Sequence, residues 1–263
     1  MADKKLLVFP VLSGFVTIAV ILTFVLPLLV TGAFMSMSAL GPVYYYGLLF
    51  VFYAVSYFVV IFFNTALISC VNARLNGKEM TIKEGLFNSG RHLPAIIGWA
   101  LLSATIGLVL NLLQERAGFI GDIIISIVGG VWSLVTFFVV PVLILEDKGV
   151  FDSLKESVDL IKKTWGESIV GTAGMAVVFV IIGVIAGLGV LTTMVLGNAI
   201  VFGAALALFL MFIVLLAVIY SAMQGIFVTA LYTYAKTGSV PSAFNADLIR
   251  NAFAPKQPGT GNI

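Results

Sequence analysis

Ser103, Gly107, Asn111 and Gln114 recur at i, i+4, i+8 and i+11, which on a helix draws one small and polar stripe down a single face. Tyr53, Tyr57 and Asn64 share a face of an earlier apolar segment, and Ser221 and Gln224 lie one turn apart in a later one. If the turns at Gly77 and Gly238 are superimposed, Asn64 and Gln224 fall at nearly equal depth. Uncharged hydrogen-bonding groups of this kind suit a polar cavity that passes a small neutral or amphipathic solute. They suit helix packing better, because membrane helices use Ser, Asn and Gln mainly as interhelical glue worth under about 2 kcal/mol per contact.

Groups for proton or covalent chemistry are missing from the same places. From Ser168 through Ala235 there is no Asp, Glu, Lys, Arg or His, and Asp122 stands at the edge of an apolar run rather than in it. Ionisable residues at membrane depth mark proton relays and ion pathways. Their absence argues against proton-coupled transport, a carboxylate-ring channel and an intramembrane metal site. His92, the single histidine, follows Arg91 with no second His or Cys in a ligand pattern and reads as a surface residue. No serine sits in G-x-S-x-G. The lone Cys70 excludes an intramolecular disulfide and reads as a small buried apolar group. No catalytic, metal or cofactor-binding residue is expected, and the chain is not expected to be an enzyme.

The elements that carry these residues follow from composition. Of 263 residues, 61% are hydrophobic and 10% charged, whereas a soluble domain carries about 25% charged residues. That excess calls for a bilayer. The net charge of +2 is too small for nucleic-acid binding, and the basic residues gather at helix ends. Hydropathy gives spans at 11–33, 44–73, 94–114, 121–145, 168–190 and 201–235; each exceeds or approaches the roughly 20 residues a spanning helix needs. Ser36, Ser38 and Ala39 imitate a signal-peptidase site, but the run from Val11 to Ala33 exceeds the about 7–15 residues of a signal h-region. It is expected to be a retained first span. All Lys and Arg except Arg116 then fall on one side, which the positive-inside rule makes cytoplasmic. The expected fold is an all-α integral membrane protein, six transmembrane helices in three hairpins, with both termini inside. Residues 1–253 form one domain and 254–263 a short cytoplasmic tail.

The inner connections repeat one design: a polar Gly-containing turn, then an amphipathic helix lying in the interface. After Gly77, Thr81 and Glu84 form a capping box, with Ile82, Leu86, Phe87 and Leu93 as a partial apolar face. After Gly149, Val150, Phe151, Leu154, Val158, Ile161 and Trp165 share one face. After Gly238, Val240, Phe244, Leu248 and Ala252 recur at helical spacing behind Pro241. These helices either link spans as elbows or form a collar that touches lipid or a partner. Gly183-x-x-x-Gly187 and Ser103-x-x-x-Gly107 allow close backbone approach, within the chain or between copies.

Three features carry a resemblance: Leu6 to Pro10 leading into the first span, Thr81 to Pro94 followed by Trp99, and Val140-Pro141 through Gly149 to Trp165-Gly166. On these the chain resembles uncharacterised bacterial six-span inner-membrane proteins, the YciC-like proteins and the membrane domain preceding some glycerophosphodiester phosphodiesterases. The resemblance implies a six-helix bundle in a prokaryotic plasma (inner) membrane and transfers no functional residue. The tail from Ala254 to Ile263 is expected to be too short to hold the phosphodiesterase domain. The expected function is a membrane module that organises lipid or a protein partner through its cytoplasmic helices, with a solute channel or facilitator as the alternative. Membrane lipids are the expected partners, beside a protein partner or a second copy, and no nucleic acid.

Overall fold

A computed structural model of the protein describes residues 4–30, 41–164, 168–195 and 198–238. Their regular structure is helical throughout. A 3-10 turn (Lys4–Leu7) leads into α1 (Val8–Val30), followed by α2 (Pro42–Leu75), α3 (Ile82–Arg91), α4 (Leu93–Gln114) and α5 (Phe119–Val135). Then come α6 (Val139–Leu145), α7 (Val150–Thr164), α8 (Ser168–Val195) and α9 (Ala199–Thr237). Six stretches are long and apolar enough to cross a membrane, namely Lys4–Val30, Pro42–Leu75, Leu93–Gln114, Gly121–Leu145, Met175–Val195 and Ala199–Thr237. They coincide with the six spans expected from hydropathy. The segment expected to form the third amphipathic helix, the residues resembling a cleavage site and the C-terminal tail all lie outside the described residues.

The chain divides into two compact units, residues 2–162 and residues 163–263. In the first, α1, α3, α4 and α6 all pack against α2, and α5 packs against α4. Ile61 of α2, Ile96, Trp99 and Ala100 of α4 and Val139 and Leu143 of α6 form its buried cluster. Trp132 stacks on Trp99 with ring centroids 5.9 Å apart, which is the packing role its central place in the fourth span predicts. The outward faces stay apolar: Leu22, Leu26, Ile124, Ile127 and Val131 are exposed. That distribution suits a hydrocarbon solvent rather than water.

In the second unit α8 packs along α9. A Cβ on Gly183 would lie 3.5 Å from Ile213 Cδ1, and one on Gly187 would lie 3.4 Å from Phe209 Cζ. The two glycines therefore receive an i, i+4 pair of α9 side chains, so this small-xxx-small motif is used within the chain.

Element ends follow local chemistry. Pro42 opens α2 at its first turn behind Gly41, where a missing N–H leaves nothing unpaired. At the other end Gly77 N–H donates to Arg74 O (3.0 Å) and Lys78 N–H to Ala73 O (2.9 Å), with Gly77 at a φ of 71°. This is a Schellman closure, and its left-handed position favours glycine. The second elbow closes differently from the first. Its left-handed residue is Asp147, at a φ of 51°, and Gly149 instead begins α7 by accepting the Ser153 N–H at 2.9 Å. Asp tolerates that conformation better than most residues.

The fourth span is not one helix. It breaks at 136–138 between α5 and α6, where Pro141 supplies no N–H and its ring crowds the carbonyl four residues back.

α3 docks on α2 through its smallest residue. A Cβ on Gly85 would meet Cys70 Sγ at 2.6 Å, the Ala66 carbonyl oxygen at 3.1 Å and Phe9 Cζ at 3.2 Å. Gly90, on the same helix, has nothing within 4 Å. Gly85→Ala should therefore destabilise by about 1–3 kcal/mol through overpacking. Gly90→Ala should be neutral or stabilise by up to about 1 kcal/mol, since a helical glycine loses more backbone entropy than alanine. Thermal unfolding of the two variants in one detergent checks the pair, and a loss confined to Gly85→Ala is the expected outcome.

Candidate functional site

The two short helices α3 and α7 meet the spans in the same register. Each buries the residues four and eight positions after the residue preceding its first turn: Gly85 and Ser89 after Thr81, Ser153 and Ser157 after Gly149. Thr81 caps α3 in the expected capping box. Its N–H donates to Glu84 Oε2 at 2.7 Å, and the Glu84 N–H returns to Thr81 Oγ1 at 3.2 Å. The Thr81 backbone bond, reinforced by its hydroxyl, holds the Glu84 carboxyl below the usual carboxylate range.

This docking rearranges the face expected of α7. Ser153 and Ser157 are fully buried and Ile161 is buried, Leu154 and Val158 are half-buried, and Phe151 stands 75% exposed. Trp165 lies outside the described residues. Close approach to another helix selects small side chains over large apolar ones, so the apolar row splits, Ile161 turning inward and Phe151 outward. α3 shows the same division: Gly85 and Ser89 face in while Phe87 is 70% exposed.

Ser157 has a further task. Its hydroxyl donates to Val135 O at 2.7 Å and accepts from Phe138 N–H at 3.0 Å. One side chain thus satisfies two backbone groups released where the fourth span breaks. Nearby, Lys148 Nζ lies 2.7 Å from Glu146 Oε2 and 3.2 Å from Glu156 Oε2. The bond to Glu146 raises the Lys148 pKa, burial opposes it, and the bond to Glu156 adds to the rise.

His92 is not the surface residue its sequence position suggests. Its side chain is 13% exposed and joins the two elbows. Nδ1 lies 2.8 Å from Asn88 O, and Nε2 lies 3.5 Å from Asp147 Oδ1. Among the described residues no cluster of His, Cys, Asp and Glu could hold a metal.

Between α2 and α3 opens a cavity of about 500 Å³. Ser69, Asn72, Asn76, Asn88 and Lys78 give it a polar wall, and Ala73, Met80 and Leu145 an apolar one. Asn76 Nδ2 donates to Asn72 O at 2.8 Å, and Asn88 Nδ2 donates to Ser69 Oγ at 2.9 Å. Sequence reasoning missed this site. The available signal was Ser69, Asn72 and Asn76, a polar row at i, i+3 and i+7 ending an apolar span.

The intramembrane candidates are placed as follows. Ser103 is buried, and a Cβ on Gly107 would lie 3.3 Å from the Tyr57 hydroxyl, so Tyr57 and Tyr53 fill the space beside that glycine. Asn111 Oδ1 is buried without a hydrogen-bond partner, as is Ser56 Oγ on α2. Gln114 is exposed at the end of α4, beside Glu115, which accepts from the Tyr46 hydroxyl at 2.8 Å. Asn64 is half-buried in the first unit and Gln224 half-buried in the second.

Six long apolar helices make this a multi-pass α-helical membrane protein. The chain belongs to a family of unknown function, DUF6159, whose profile matches residues 43–242. That match runs from α2 to beyond the end of α9, and so takes in both short helices and the cavity. No curated protein and no solved structure matches the chain.

Removing the Ser157 hydroxyl leaves a buried donor and a buried acceptor unanswered. Ser157→Ala should cost about 1–3 kcal/mol and raise the amide exchange rate at Phe138 selectively. Exchange measured by mass spectrometry in detergent checks this, against Ser126→Ala, whose hydroxyl serves only the exposed Asp122 carbonyl.

Proposed function

We propose that the protein is a non-catalytic module of a prokaryotic plasma membrane, both termini cytoplasmic, whose interfacial helices gather inner-leaflet lipid around a six-span bundle of three hairpins. The observation that carries this reading is the outward pair Phe87 and Phe151, 70% and 75% exposed on helices whose opposite faces are docked. Both helices lie among the basic residues Lys78, Lys83, Lys155 and Lys162, as amphipathic helices at an anionic leaflet do. Burying a Phe side chain contributes about 1.5–3 kcal/mol, so two such anchors hold a shallow helix in the headgroup region. The resemblance to YciC-like bundles agrees with this placement and adds no activity.

A second reading, a facilitator for a small neutral solute, draws on the unpartnered, buried Asn111 Oδ1 of α4 and Ser56 Oγ of α2. The filled space beside Gly107 favours packing over passage.

Tryptophan placed by Phe87→Trp or Phe151→Trp reports depth directly. In vesicles of phosphatidylglycerol and phosphatidylethanolamine, lipids brominated near the carbonyl end of the chain should quench both. Absence of quenching at either site contradicts the collar. Loss of solute flux in Asn64→Leu, Asn111→Leu or Gln224→Leu proteoliposomes, with collar variants behaving normally, selects the facilitator instead.

A further inference from the structure

We infer that the cavity between α2 and α3 is a binding site for a phosphate ester, drawn from a phospholipid headgroup. The hydrogen bonds already made in it decide the chemistry. Ser69 spends its proton on Thr65 O at 2.9 Å. Asn72 Oδ1 accepts from Asn76 Nδ2 at 3.3 Å, and Asn88 Nδ2 donates to Ser69 Oγ at 2.9 Å. What these bonds leave over is chiefly donors: the Asn72 amide hydrogens, the second hydrogen of Asn88, and the Lys78 ammonium. Among the described residues Lys78 forms no ion pair, and no carboxylate lines the cavity. A cavity with surplus donors, one free cation and no competing anion is built for a negatively charged, oxygen-rich group.

The opposite wall selects the source. Ala73, Met80 and Leu145 bring apolar surface to the same cavity at the basic end of the spans. A free phosphate ester has no use for that wall, whereas the glycerol and first methylenes of a phospholipid cover it. The Asn76 and Asn88 carbonyl oxygens that stay free match the hydroxyls of a glycerol headgroup. The choice of a lipid over a soluble ester rests on the collar reading above; the phosphate chemistry does not.

Native mass spectrometry of the full chain, stripped of lipid in detergent, tests the assignment with three probes: dioleoyl phosphatidylglycerol, dioleoylglycerol and glycerol 3-phosphate. The wild type should bind phosphatidylglycerol, and Lys78→Gln and Asn72→Ala should each weaken that binding about tenfold or more. Dioleoylglycerol, with the same acyl chains and no phosphate, should bind weakly and be indifferent to both changes. Lys78 is exposed, so its replacement leaves the fold intact, and unchanged melting confirms it. Glycerol 3-phosphate binding with the same sensitivity, while phosphatidylglycerol fails to bind, overturns the lipid source and keeps the phosphate site. Equal binding of both lipids, or variants indistinguishable from wild type, overturns the site altogether. Bromolipid quenching at residues 87 and 151 is independent of Lys78, so it persists if the cavity assignment fails and disappears only if the collar does.

Discussion

Hydrocarbon offers a peptide group no hydrogen bond, so a chain inside it must answer every backbone donor and acceptor from its own atoms. Most of this protein meets that demand with uninterrupted helix. The fourth span does not, because Pro141 interrupts it, and the freed Val135 carbonyl and Phe138 N–H both turn to the Ser157 hydroxyl. That double bond fixes α7 against the break. It also sets which face of α7 points inward and which is left outside. The position of Phe151, and with it half of the proposed collar, follows from one serine and one proline.

Close approach is the second constraint. Glycine stands at three of the close approaches between elements: Gly85 on Cys70 and Ala66, Gly107 on Tyr57, Gly187 on Phe209. In lipid the apolar effect does not separate helix from solvent, so contact geometry and hydrogen bonds decide the packing. Large apolar residues are then free to face outward, as Leu22, Ile127 and Leu208 do. The polar groups instead collect at the basic end, where Asn72, Asn76, Asn88 and Lys78 form a cavity rather than a seam.

Spans and capping were legible because each is written locally. Twenty apolar residues signal a membrane helix in their own composition, and Thr81 with Glu84 signals a helix start in four positions. The inward face of α7 was not legible for a physical reason. Periodicity groups Phe151, Leu154 and Val158 on one apolar face, but close docking onto a span selects small side chains, and Ser153 and Ser157 take the innermost positions. The break at 136–138 hid inside an apolar run whose composition does not change across it, although Pro141 was in view. His92 looked superficial because one of its partners, Asp147, is reached only when two elbows come together. The cavity escaped for the same reason: asparagines on two helices resemble glue until the helices are placed.

The account depends most on the two ends of the first unit standing in different compartments, with α7 on the cytoplasmic side. Glu115→Cys and Lys155→Cys, made singly in a chain whose own Cys70 is buried, permit a direct measurement in intact cells with a membrane-impermeant maleimide. Labelling of residue 115 from outside, with residue 155 reached only after permeabilisation, is the predicted result. Equal labelling of the two in intact cells would contradict the topology and the collar built upon it.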